Sequence, residues 1–159
     1  MRSEEKQLTI TGENSIPERY WITPTELYKK LDGEFHFDYD PCPHPRPDGY
    51  NGLKSEWGKS SWVNPPYRKY EGVGLCAWVR KAIEEHKKGN TVVMVFPITQ
   101  ALSELAEYGI EIRSLGRVRW LGIESGKPTN KPDSMGLFIL KGRVLNDKGE
   151  KVGGEKDVH

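Results

Sequence analysis

The sequence predicts an α/β domain with a mostly parallel sheet and helices on its faces. Three observations predict it. Thr91-Val92-Val93-Met94-Val95-Phe96 is a continuous apolar run, the kind of strand that is buried on both faces of a parallel sheet. Leu75 to Lys88 puts Leu75, Trp78, Val79, Ala82 and Ile83 on one helical face and stops at Gly89. Strand and helix patterns alternate along the chain, as βαβ units do, and the crossovers are expected to be right-handed.

Taken in order, residues 1–17 are polar and unpatterned and read as a mobile arm. Thr23-Pro24-Thr25-Glu26 reads as a helix start, with Thr23 as N-cap, Pro24 at the first position and Glu26 at the third. That helix is expected over Pro24–Leu31, ending near Gly33. Phe35 to Asp40 alternates aromatic and polar residues before Pro41, which reads as a strand. Pro41 to Lys59 is rich in proline and glycine and reads as a loop. Ser60-Ser61-Trp62-Val63 is a short buried strand. After the Leu75–Lys88 helix and the apolar strand, which Pro97 ends, Thr99 to Tyr108 reads as a helix closed by Gly109. Ile110 to Leu115 is a strand, with Arg117–Trp120 extending it or turning back. Gly122 to Asp133 is a loop and Ser134 to Lys141 a strand. A hairpin is expected around Asp147-Lys148-Gly149. Residues 18–145 are read as a single domain and 146–159 as a flexible tail.

The 159 residues are enough for one domain with a real core. Charged residues make up 30% and the net charge is +1, which excludes a strongly basic nucleic-acid binder and leaves any such contact to a local patch. Cys42 and Cys76 are the only cysteines. Two distant cysteines make no disulfide framework, so a reducing compartment is expected. No run approaches 18 apolar residues and no leader pattern opens the chain. The expectation is a soluble, cytoplasmic protein with no membrane partner.

The most informative tetrapeptide is Asn64-Pro65-Pro66-Tyr67, directly after Val63. Neither proline carries an N–H, so the ladder must stop there. The prolines also fix φ and keep Asn64 out of the helical region. The result is a rigid turn at the carboxyl end of a strand, the edge where open α/β sheets bind ligands. It offers one amide side chain, bare carbonyls and an aromatic ring, which suits a flat molecule bearing an amino group. The plainer reading is a strand terminator.

Asp40-Pro41-Cys42 after one strand and Asn64-Pro65-Pro66-Tyr67 after the next, followed by a helix, an apolar strand and a proline, resemble the phage-type DNA N6-adenine methyltransferases (the Dam family). Tyr20-Trp21-Ile22-Thr23-Pro24 and Asn51-Gly52-Leu53-Lys54-Ser55-Glu56-Trp57 resemble that family's upstream signatures. The resemblance spans about Arg19 to Leu140. It implies S-adenosylmethionine as donor and the N6 amino group of adenine in DNA as acceptor. Asn64 and Pro65 would accept hydrogen bonds from that amino group, with Pro66 stiffening the turn and Tyr67 stacking on a flipped-out base. It also implies a host-cytoplasmic enzyme of bacteriophage type that modifies phage or host DNA, with protection from restriction as one purpose.

The resemblance implies a Rossmann-like class I methyltransferase sheet, and segment length implies that it is a minimised one. A parallel crossover needs a dozen or more residues. The roughly twenty residues between Asp40 and Ser61 therefore leave no room for two further strands with their helices. Larger relatives carry a glycine-rich donor turn where this chain has Asp40-Pro41-Cys42-Pro43-His44-Pro45. Donor contacts are expected from Trp21, Thr23, Pro41 and Cys42, with Asp38 or Asp40 holding the methionine ammonium. Asp48, Asn51, Glu56 or Trp57 would replace the missing ribose-reading acid. Trp21 is equally readable as a core staple, and Trp78 as core. Arg68, Lys69, Arg117, Arg119, Lys127 and Lys131 form the candidate DNA-phosphate surface, although each alone reads as a solvated charge. His36, Cys42 and His44 match no zinc spacing, so no metal is expected. The rival readings are a methyltransferase acting on an RNA or protein amino or amide group, and a non-catalytic nucleic-acid-binding relic.

Overall fold

The computed structural model describes residues 21–67, 73–98, 105, 108–123, 125–128 and 134–142. Its elements are α1 (Thr25–Phe35), β1 (Ser60–Val63), α2 (Leu75–Lys87), β2 (Thr91–Pro97), β3 (Glu111–Arg117) and β4 (Ser134–Leu140). The proposed arm, the tail and the hairpin near Asp147 lie outside the described residues. So does most of the expected Thr99–Tyr108 helix, of which Leu105 is helical and buried.

The four strands form one sheet in the order β1-β2-β4-β3. β1 pairs with β2 in parallel, while β4 pairs antiparallel with both β2 and β3. The expectation of a mostly parallel sheet is therefore corrected. The cause is one strand. β1, β2 and β3 run the same way, but β4 is reversed and sits between β2 and β3, so two of the three pairings become antiparallel.

Strand alternation sorts the core into two faces. Val92, Met94 and Phe96 of β2 and Phe138 and Leu140 of β4 meet α2 through Leu75, Val79, Ala82 and Ile83. Val93 and Val95, with Leu137 and Ile139, face the other way onto Trp62, Leu31 and the flank of α1. All of β2 from Val92 to Phe96 is fully buried, so helices cover both faces as the apolar run requires. Phe96 and Phe138 stack at 3.9 Å with planes 7° apart. Glu85 is buried in α2, and burial pushes its carboxyl up. Hydrogen bonds from Lys81 and Lys88, at 2.8 and 2.9 Å, outweigh that and hold it below the usual range.

Two further expectations are corrected near the site. α1 starts one residue later than expected: Pro24 is the N-cap and no side chain caps it. α1 also continues to Phe35 and ends on His36 in the left-handed region, φ 51°. The expected Phe35–Asp40 strand shrinks to a single parallel bridge between Tyr39 and Ser61. Phe35 and Phe37 pack on the α1 face and Tyr39 on the α2 face, so the aromatic alternation reflects a chain that crosses the sheet edge. Residues 41–59 hold no strand, as their prolines and glycines predict.

Candidate active site

β1 ends at Val63, and the buried Pro65 and Pro66 turn the chain away from the sheet. Asn64 is left half-buried at the strand end, with both ends of its amide engaged. Its Nδ2 donates to the Trp21 carbonyl oxygen at 2.7 Å and, more weakly, to Thr23 Oγ1 at 3.4 Å. Its Oδ1 accepts from the Tyr67 hydroxyl at 2.9 Å. Thr23, expected as a helix cap, thus serves the turn instead. The 21–23 segment is itself fastened to the chain beyond β3. Ile22 N–H donates to the Leu121 carbonyl and Leu121 N–H to the Ile22 carbonyl, both at 3.1 Å.

A cleft enclosing about 250 Å³ opens beside Asn64, walled by Trp21, Thr23, Tyr28, Asp40, Cys42 and Trp62. Trp21, Tyr28 and Trp62 contribute aromatic side chains to that wall. Asp40 is its acid. Burial raises its carboxyl to about 6, against a smaller opposing effect of the Cys42 N–H that donates to Oδ1 at 2.8 Å. Burial, and then Asp40, push the Cys42 thiol well up. Cys42 and Pro41 also line a smaller slot of about 70 Å³, with Asn51, Leu53, Pro66 and Trp78 around it. The Trp78 Nε1–H is buried with no hydrogen-bond partner among the described residues.

Other expected site residues take up structural posts. Asp38 accepts from Lys59 N–H and Ser60 N–H at 3.1 and 2.9 Å, which ties the loop's two ends together. Trp57 is buried against Trp78 and donates from Nε1 to the Gly52 carbonyl at 2.7 Å. Glu56 and Asp48 are exposed. The Tyr67 ring packs edge-on against buried Trp120, 6.4 Å between centroids, so it is tethered rather than lying open in the cleft. Among the proposed phosphate contacts, Arg117, Arg119 and Lys127 are exposed on the 117–128 segment that grips residues 21–23. Arg68, Lys69 and Lys131 lie outside the described residues. Among the described residues no three metal-binding side chains gather, and no helix is long and apolar enough to cross a membrane.

The model of one family, DNA N-6-adenine-methyltransferase (Dam), matches residues 14–145. The chain belongs to the Dam family. Its reaction is methyl transfer to the N6 amino group of adenine in DNA. The match spans every element described above, both cavities and the Asn64–Tyr67 turn. It specifies adenine in DNA rather than an RNA or protein amide. No curated protein and no solved structure matches the chain.

Sequence reasoning overlooked part of the cleft's wall. Tyr28, Trp62 and His44 line the cleft but were not among the expected contacts. Trp62 was findable: it lies two residues before Asn64 on a strand, hence on the same face. Tyr28 was findable as the residue one turn into α1. His44 sits in a proline-rich stretch with no periodicity to place it.

Proposed function

We propose that Asn64 Oδ1 and the Pro65 carbonyl are the acceptors that grip the adenine amino group, and that the donor is S-adenosylmethionine, held by the two cavities that share Cys42 as a wall. The observation that carries this is the Asn64 amide, fixed so that its oxygen, not its nitrogen, faces the side of the turn where Tyr67 stands. Two acceptors hold the nitrogen lone pair in line for attack and stabilise positive charge as that nitrogen becomes tetrahedral. Tyr67 would exchange its hydroxyl contact for a stacking contact with the flipped base, which a duplex releases at a few kcal/mol.

The residues present fit such a donor. Asp40 supplies the carboxylate for its ammonium, and Trp21, Tyr28 and Trp62 supply aromatic faces for its sulfonium. The Pro41–Leu53–Pro66 slot takes its flat purine. When bound, the donor supplies a sulfonium methyl: the adenine lone pair forms the new C–N bond while sulfur keeps the S–C electron pair. The nitrogen proton then leaves to solvent without a strong base, because the alkylated amine is more acidic. Arg117, Arg119 and Lys127 would bind phosphates beside the mouth.

The sheet order fits a shortened donor-binding fold of Rossmann-like type. The Tyr39 bridge stands where a first strand would run, and the two strands normally outside it have no residues to form them. Residues 18–145 act as one domain in this reading. The setting is the cytoplasm of a host cell, on phage or host DNA, with protection from restriction as the purpose. The deciding experiment is mass spectrometry of nucleosides from DNA incubated with protein and labelled donor. N6-methyladenine appears with the native protein and falls about 10²- to 10³-fold with Asn64→Ala. Full activity in Asn64→Ala, with its fold intact, removes the assignment.

A further inference from the structure

We propose that the Trp21 backbone carbonyl is an orientation lock that makes this site specific for asparagine at position 64 and intolerant of aspartate. The proposal rests on the reading of Asn64 as the acceptor for the adenine amino group. A backbone carbonyl can only accept, so the atom 2.7 Å from it has to be the Nδ2 donor. That contact alone decides which end of the amide faces the substrate. Thr23 does not decide it, because a hydroxyl donates or accepts by rotating. Tyr67 does not decide it either, for the same reason.

The lock is placed by structure distant in sequence. Trp21 lies 43 residues from Asn64, and the paired Ile22–Leu121 hydrogen bonds hold its carbonyl in position. A carboxylate at position 64 would set one oxygen against the Trp21 carbonyl with no proton between them, in a half-buried place where water cannot fully compensate. The side chain must then swing away from its working geometry or take up a proton. Trp21 is thus a positioning residue that acts through Asn64.

The test is steady-state methylation by Asn64→Asp beside Asn64→Ala and the native enzyme, from pH 6 to 8.5. Asn64→Asp is expected to lose about 30-fold or more in kcat at pH 8, as when one preorganised contact is lost, with KM for DNA within about threefold of native. Its activity relative to native should climb as pH falls, because a protonated carboxyl donates to the Trp21 carbonyl as the amide did. Asn64→Asp activity within threefold of native at pH 8, or a deficit identical at every pH, overturns the lock. Full activity in Asn64→Ala overturns the acceptor reading instead, so the two failures are told apart. A measurement on the native protein covers the case where Asn64→Asp does not fold. With ¹⁵N-asparagine labelling, one Asn64 Nδ2 proton should be protected from solvent exchange and show nuclear Overhauser contacts to residues 21–23. Free exchange of both protons overturns the proposal.

Discussion

β2, inside the sheet, and the 36–59 segment, beside its β1 edge, are specified in opposite ways. From Val92 to Phe96, β2 is held by apolar packing on two faces, with no side-chain hydrogen bond among those residues. The 36–59 segment has little regular structure and is held by single atoms: Asp38 on two backbone N–H groups, Asp40 on Cys42, and Trp57 on the Gly52 carbonyl. Packing is diffuse and tolerates change in proportion to volume. A set of one-to-one hydrogen bonds fails at whichever atom is removed. The candidate site draws on both, since the sheet fixes where the Asn64 turn stands and the loop supplies Asp40 and Cys42 to the cleft beside it. Changes in β2 or β4 should therefore cost stability, and changes in the loop should cost donor binding.

The largest expected effect breaks the sheet side. Phe138 is 1% exposed and stacks on Phe96. Phe138→Ala should destabilise the protein by about 3 to 5 kcal/mol, measured by urea denaturation, with activity per folded molecule kept near native. Next comes Gly52, which is buried against Pro41. A Cβ there would run into the Pro41 carbonyl oxygen, and the Gly52 carbonyl is itself pinned by Trp57, so neither strand of the loop can yield cheaply. Gly52→Ala should cost about 2 to 3 kcal/mol and weaken donor binding, read by calorimetric titration, more than Phe138→Ala does. Equal effects on donor binding from the two substitutions would mean that the loop is not a separate determinant.

That contrast also explains what the sequence disclosed. The apolar run at β2, the buried face of α2 and the diproline turn after β1 were legible because burial periodicity and proline stereochemistry are local properties. So was the absence of strands in 41–59, read from its prolines and glycines, with chain length ruling out two further strands with their helices. The reversal of β4 was not legible: Ser134–Leu140 is as apolar as a parallel strand, and a strand buried on both faces carries no mark of its direction. Phe35 to Asp40 misled because three alternating aromatics satisfy the strand pattern, while the helix end at His36 depends on a φ of 51° that no preferred residue announces. In the candidate site, Asn64 stood out by its place before two prolines, and Asp40, together with Asp38, by its place at the end of an expected strand and by the family resemblance. The partnership of Asn64 with Trp21 was out of reach, because a backbone carbonyl has no residue signature.

A smaller effect sharpens the comparison through pH. Asp40 has its carboxyl raised by burial from 3.8 to about 6. In the proposed role of holding a donor ammonium it must be ionised, so donor affinity should be level above pH 7. It should then fall about tenfold per pH unit below pH 6, near 1.4 kcal/mol per unit. Stability without donor runs the other way. A folded-state pKa above the unfolded one means the native state binds more protons between pH 4 and 6, so the Asp40 contribution is lost as pH rises through that window. Asp40→Asn should abolish both dependences and leave donor affinity low at every pH. A donor titration of native protein that stays flat from pH 7 to 5 would assign the ammonium elsewhere.

The smallest effect isolates one hydrogen bond of the loop from its packing. Trp57 stacks on Trp78, 6.4 Å between centroids, and its Nε1–H meets the buried Gly52 carbonyl. Trp57→Phe keeps an aromatic ring in the core but leaves that carbonyl with only the longer bond from Ser55 Oγ, at 3.2 Å, a loss of about 1 kcal/mol. Because Gly52 and Trp78 both line the slot beside Pro41, the change should also weaken binding of the purine end of the donor, while Asn64 keeps its hold on Trp21. A threefold rise in donor KM with kcat unchanged, compared against a melting temperature lowered by only a few degrees, is the expected pattern. A fall in kcat at constant KM would mean that the loop reaches the Asn64 turn after all, and that packing and pinning are not separable across this sheet edge.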